Sequence, residues 1–136
     1  MTKIPVVIVD DEEADRYIVR RRLAKSEDFE QVIECTTGDE FLEQFFNGHG
    51  GIDPSSPLLV LMDINMPRMG GFETIEELQR RMAEGRGPKS VVIMMFTSSD
   101  NENDRARADA LSSVKGYVLK PLDDDAVEDI VKVYNA

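Results

Sequence analysis

The chain is poor in cysteine, histidine and basic residues, and each shortage excludes something. Cys35 is the only cysteine. No internal disulfide can form, and without a CxxC pair or Cys/His cluster there is no pattern for a zinc site. His49, the only histidine, stands in the Gly-rich stretch NGHGGIDPSSP (47 to 57). That isolation argues against a phosphohistidine or a histidine-bound metal, and the stretch reads as a surface connection. Lys and Arg number 16 against 27 Asp and Glu, a net charge of −11 with pI about 4.5. A phosphate backbone would be repelled, so no DNA contact is expected. No apolar run approaches the roughly 18 residues of a membrane span, and Met1 leads straight into an apolar segment instead of a signal peptide. A cytoplasmic protein without a membrane partner is the expectation. At 136 residues and 41% hydrophobic content, one domain over 1–136 with a real core is expected.

What is present is alternation. Short apolar runs, often β-branched, occur at 4–9, 31–35, 57–62, 90–96 and 116–119. Segments of helical spacing lie between and after them: Ala14, Tyr17 and Ile18; Phe41, Leu42 and Phe45; Ile75, Leu78 and Met82; and Val127, Ile130, Val131 and Tyr134. The polar, Ala-containing stretch 101–111 reads as a weaker helix. Strand then helix, five times over, with strands apolar on both faces, predicts an α/β fold: a doubly wound five-stranded parallel sheet covered by helices on both sides. Right-handed crossovers bring all strand C-termini to one edge. Ligands in such folds bind beyond those ends, near the point where strand order reverses.

The residues just after each run carry the chemistry. Asp10 and Asp11 follow the first run, Asp63 the third, Thr97 and Ser98 the fourth, Lys120 and Pro121 the fifth. Massed carboxylates resist burial unless a cation neutralises them. Three of them at one sheet edge form a hard oxygen site, and Mg²⁺ suits it because it takes one or two carboxylates, keeps waters and binds phosphate oxygens. A lysine and a hydroxyl beside them are what a phosphoryl group on one carboxylate needs. A carboxylate is itself a competent nucleophile for phosphoryl transfer. The other acids have plainer readings: Glu12, Glu13 and Asp123 to Asp125 begin helices, where the dipole favours them. Arg20, Arg21 and Arg22 read as a solvated face, Met94 and Met95 as core, and Cys35 as a buried strand end.

The pieces VVIVDDE (6–12), LLVLMDINMPRMGGFE (58–73), MMFTSS (94–99) and GYVLKPL (116–122) together resemble the response-regulator receiver domain of two-component signalling, over nearly the whole chain. The resemblance implies a flavodoxin-like (βα)5 sheet of strand order 2-1-3-4-5. It implies Asp63 as phosphoacceptor, Asp10 and Asp11 with Asp63 at a Mg²⁺ site, and the backbone carbonyl of Asn65 as a further metal ligand. It implies Thr97 as the switch hydroxyl, Lys120 as the phosphate-contacting lysine, Tyr117 as the switch aromatic and a cis Lys120–Pro121 bond. Thr97 stands 23 residues before Lys120, one more than is usual in the family. Either the α4 segment carries an extra residue or Ser98 takes the hydroxyl role. Thr97 is preferred because it ends the apolar run, with Ser98 a small neighbour limiting access.

The function so implied is that of a stand-alone response regulator, a phosphoprotein and not a conventional enzyme. It would take its phosphoryl group from a sensor histidine kinase or a histidine phosphotransfer protein. It would then relay the group or signal to a downstream protein through its α4-β5-α5 surface, as a monomer or weak dimer. A phosphate sink and a non-phosphorylated protein-binding receiver are the alternatives within the family. Two rivals lie outside it. An FMN carrier of the flavodoxin type needs a hydroxyl- and Gly-rich loop after the first strand, where this chain has DDEEAD. A haloacid-dehalogenase-type phosphohydrolase carries a second Asp two residues after its nucleophile, where this chain has Asn65.

Overall fold

Five parallel strands form one sheet in the order β2-β1-β3-β4-β5. A computed structural model of the chain describes residues 3–46 and 55–136. His49 and most of the Gly-rich stretch around it lie outside the described residues. The elements alternate without exception among those described: β1 (Val6–Val9), α1 (Glu13–Ala24), β2 (Ile33–Cys35), α2 (Gly38–Gln44), β3 (Leu58–Met62), α3 (Gly71–Ala83), β4 (Val91–Thr97), α4 (Glu102–Asp109), β5 (Val114–Leu119) and α5 (Asp124–Asn135).

The period-2 geometry of a strand divides the core in two. Val7, Val9, Val60 and Met62 point to one face, where they pack with Phe41 and Phe45 from the α2 segment and with Phe72, Ile75 and Leu78 of α3. Val6, Ile8, Leu59 and Leu61 point to the other, against Val19 and Leu23 of α1 and Ile130 of α5. Every residue of β1 and β3 is buried, which explains why these runs show no polar alternation. Each fully buried Val, Leu or Ile side chain contributes roughly 1.5–3 kcal/mol relative to exposure. The two central strands are therefore the stable frame on which the sheet edge is built.

Three helices, α2, α4 and α5, start where a side chain supplies an acceptor for their first N–H groups. Thr37 accepts from the Glu40 amide, Asn101 from those of Asn103 and Asp104, and Asp123 from that of Ala126. The helices differ greatly in how firmly they are held. α3 buries Gly71, Phe72, Thr74, Ile75 and Leu78, whereas α4 buries only Ala108. An eight-residue helix has no stability of its own, so α4, which buries one alanine, is weakly anchored.

In α1 the buried residues are Val19 and Leu23, not the expected face of Ala14, Tyr17 and Ile18. Ile18 is half-buried and Tyr17 is exposed. The helix carries so many charged residues that two apolar spacings compete. The winning one places Tyr17 outward, where the guanidinium groups of Arg20 and Arg21 lie 5.3 and 5.8 Å from its ring centre.

Candidate functional site

The register of the central strands brings the aspartates together. Val9 pairs with Met62 and Val9 with Cys35. The next residues continue the pairing, since the Asp63 amide donates to the Val9 carbonyl and the Asp10 amide to the Cys35 carbonyl, each at 3.0 Å. Asp10 and Asp63 thus end adjacent strands side by side, at the place where the chain order reverses. On the other side of β3, Thr97 ends β4 opposite Leu119, and the Lys120 amide donates to the Thr97 carbonyl at 2.9 Å. The Lys120–Pro121 bond is cis, as the resemblance implies.

Around this edge, one carboxylate oxygen from each of Asp10, Asp11 and Asp63 can be chosen so that all lie within 4.8 Å of one another. Asp10 is fully buried and Asp63 nearly so, while Asp11 is exposed. Two backbone details hold the aspartates in place. The Glu12 amide donates to Asp10 Oδ1 at 2.9 Å, and the Arg16 guanidinium to the Asp10 carbonyl at 2.8 Å. At the start of α3, a Cβ on Gly71 would sit 2.1 Å from the Asp63 carbonyl oxygen. Only glycine lets the helix come this close to the strand end, and the Gly71 amide uses the proximity to donate to the Ile64 carbonyl at 2.9 Å.

The Lys120 ammonium is the cation among these acids. It lies 2.8 Å from Asp10 Oδ2, 2.7 Å from Asp15 Oδ2 and 3.6 Å from Asp63 Oδ1. Burial alone would lower its pKa, but its pairing with Asp10 and Asp15 and the charge of Asp63 raise it to about 12. Three carboxylates face one ammonium, and Asp11 stands beside them. The imbalance falls on Asp63, whose pKa is raised from 3.8 to about 6, first by burial and then by the charge of Asp10, with Lys120 opposing and Asp11 adding.

The donor set fits a hard divalent cation. Asp10 Oδ2 is buried and accepts no hydrogen bond of normal geometry, its only compensation being the ion pair with Lys120. Among the described residues, none donates to the Asn65 carbonyl. An oxygen-only set with excess negative charge and a raised carboxyl pKa is the chemistry that Mg²⁺ or Mn²⁺ relieves.

Thr97 is buried at the end of β4, and its Oγ1 accepts from the Ser99 amide at 3.2 Å; Ser98 is exposed. The surplus residue between Thr97 and Lys120 does not need α4 to lengthen. Ile93 pairs with Val114 and Met94 with Gly116, so Lys115 is left over as a bulge in β5. A Cβ on Gly116 would meet the tip of the Met94 side chain at 2.4 Å, so any larger residue there would have to displace that flexible tip. Tyr117 follows, half-buried, donating its hydroxyl to the Ser99 carbonyl at 2.7 Å beneath the Arg105 guanidinium, 4.4 Å from its ring centre.

The site includes one residue that sequence reading passed over. Asp15 belongs to the opening acidic run, yet its side chain is three-quarters buried on Lys120. The signal was present: Asp15, Val19 and Leu23 are spaced at i, i+4 and i+8, so the buried stripe of α1, followed one turn back, ends on a carboxylate.

Residues 6–132 match the response regulator receiver domain family. The chain belongs to that family. It is 31% identical over 131 residues to the transcriptional regulatory protein DegU of Brevibacillus brevis, covering 96% of this chain and 50% of that protein. The chain spans about half the length, or less, of the curated relatives it matches. Among solved structures it resembles a two-component response regulator from Cytophaga hutchinsonii, with 24% identity, a TM-score of 0.77 and coverage of 99% and 100% of the two chains. It also resembles the Mn²⁺-bound form of the response regulator Rcp1, with 25% identity, a TM-score of 0.67 and coverage of 97% and 91%. The expected fold class and strand order hold, and the FMN-carrier and dehalogenase readings belong to other families. No described helix of this receiver is long and apolar enough to cross a membrane.

Proposed function

We propose that this receiver accepts a phosphoryl group on Asp63 from a phosphohistidine donor, using a divalent cation held by Asp10, Asp11, Asp63 and the Asn65 carbonyl. The observation that carries the reading is the convergence of three carboxylates and the Lys120 ammonium at one strand edge. That the relative Rcp1 has a Mn²⁺-bound form supports it. Mg²⁺ is the cation we assign, because it binds phosphate oxygens while keeping waters. When bound, it supplies positive charge to the phosphoryl oxygens and to the carboxylates that must approach them.

An Asp63 carboxylate oxygen attacks phosphorus, forming a P–O bond as the donor's N–P bond breaks. The electron pair returns to the imidazole nitrogen, which takes a proton from solvent. Lys120, near Asp63 Oδ1, offers an N–H to the phosphoryl oxygens as they arrive. The donor is a sensor histidine kinase or a histidine phosphotransfer protein.

Output runs through Thr97. Its hydroxyl now accepts from the Ser99 amide, and the Ser99 carbonyl holds the Tyr117 hydroxyl. Turning Thr97 toward a phosphoryl oxygen releases Ser99, and with it Tyr117 and the lightly anchored α4. The α4-β5-α5 surface then has two states whose balance phosphorylation shifts, and a downstream protein reads it. The test is beryllofluoride, a phosphoryl mimic, followed by fluorine NMR. A bound signal that needs both Mg²⁺ and Asp63 is expected, and its absence from the wild type would overturn the reading.

A further inference from the structure

Lys120 has three N–H donors, and one is already committed to Asp15, while an ion pair with Asp10 draws the ammonium the same way. Asp15 accepts at 2.7 Å and Asp10 Oδ2 pairs by charge at 2.8 Å, while Asp63 Oδ1, at 3.6 Å, lies beyond a hydrogen bond. The ammonium is therefore held toward the α1 side of the site and away from the carboxylate it is expected to serve. Asp15 reaches it from α1, 105 residues away in sequence.

The two holding carboxylates are not equivalent. Asp10 is fully buried at a strand end, with Oδ1 tied to the Glu12 amide and Oδ2 dependent on Lys120 alone. Releasing it would leave a buried charge without a partner, which is strongly unfavourable. Asp15 has a quarter of its side chain exposed and can turn to water. Nor is Asp15 needed to complement the helix dipole, which the exposed Glu12 and Glu13 already do at the N-terminus of α1. A partly buried carboxylate whose one partner among the described residues is Lys120 is placed there for Lys120.

We propose that Asp15 is a positioning residue for Lys120: it holds the ammonium off Asp63 at rest and is exchanged for a phosphoryl oxygen when Asp63 is modified. This rests on the phosphoryl-acceptor reading above. Its consequence is a sign. The modified state must break the Asp15–Lys120 pair, so the Asp15 charge opposes that state, and removing the charge while keeping the shape favours it.

The experiment has two arms. In the first, beryllofluoride affinity in saturating Mg²⁺ is compared for wild type, Asp15→Asn and Asp15→Glu. Asp15→Asn is expected to bind about three- to tenfold more tightly, and Asp15→Glu, which restores the charge, to return toward wild type. A mere staple between α1 and β5 would instead lower the melting temperature and leave mimic affinity unchanged or weaker, and that result overturns the proposal. The second arm uses the wild type alone, so it survives any misfolding of a variant. A hydrogen-bond scalar coupling between Lys120 ¹⁵Nζ and Asp15 ¹³Cγ is expected in the free protein and lost with bound mimic; a coupling that persists in the bound state overturns the exchange. If wild type binds no mimic at all, the acceptor reading fails and this inference falls with it. Binding with an unchanged Asp15→Asn removes this inference only.

Discussion

Val9 of β1 is paired in register with Met62 of β3, and the residue after each is an aspartate. Two carboxylates that repel each other are thus fixed by the sheet itself, at the end of strands whose burial leaves them no freedom to separate. The acidic site is a property of the core before it is a property of any ligand, and its consequences are measurable in the free protein.

The first concerns stability and pH. Asp63 has its pKa raised from 3.8 to about 6, so the fold disfavours the ionised form. The penalty is absent below about pH 4, where both folded and unfolded chains carry the proton, grows as pH rises to about 6, and is fully present above. Asp63→Asn, which cannot ionise, is expected to be more stable than wild type at pH 7.5 by on the order of 2 kcal/mol. Urea melts of both proteins between pH 4 and 8 check this; a gap that is constant with pH would contradict it.

A cation should relieve the same strain. Mg²⁺ is expected to raise the melting temperature of the wild type, by about 2.7 kcal/mol of stability at a hundred times its dissociation constant. Asp11→Ala should weaken the effect by removing the most exposed of the three carboxylates, the one not engaged by Lys120. Asp10→Ala perturbs the resting ion pair as well. Identical Mg²⁺ titrations for wild type and both variants would rule out the metal site.

Gly71 tests how closely α3 must approach. In Gly71→Ala the new methyl meets the Asp63 carbonyl oxygen 2.1 Å away, backbone that cannot yield without moving Asp63. A destabilisation of roughly 2 kcal/mol or more is expected from such overpacking, together with weaker mimic binding. A stable variant with unchanged binding would show that the strand end is softer than its packing implies.

The switch hydroxyl separates Thr97 from Ser98. With beryllofluoride, Thr97→Ala should still bind but should lose the amide shift changes at Tyr117 and along α4. Ser98→Ala, altered at an exposed side chain, should keep them. The reverse pattern would exchange the two roles.

Much of this site was legible in the sequence, for a physical reason. In a parallel α/β sheet the connection rule alone sends Asp10, Asp63, Thr97 and Lys120 to one edge, whatever the packing details. What escaped depended on packing. The face of α1 is decided by two buried residues, Val19 and Leu23, in a helix dominated by charge, so two apolar spacings compete, and the exposure of Tyr17 and the inward turn of Asp15 follow only from the stripe that packing selects. The bulge at Lys115 is invisible because it is a matter of register between β4 and β5, which apolar runs do not encode. The length between Thr97 and Lys120 signalled that a residue was surplus, but not where it would go.

The central claim is that Asp63 is the phosphoacceptor. Wild type and Asp63→Asn, each incubated with acetyl phosphate in Mg²⁺ and trapped by borohydride reduction before peptide mapping, test it most directly. The account requires one modified site, on the peptide containing Asp63, in wild type with Mg²⁺ and none in the variant or in chelator. Modification elsewhere that is undiminished in Asp63→Asn, or a wild type that takes no label, would contradict it.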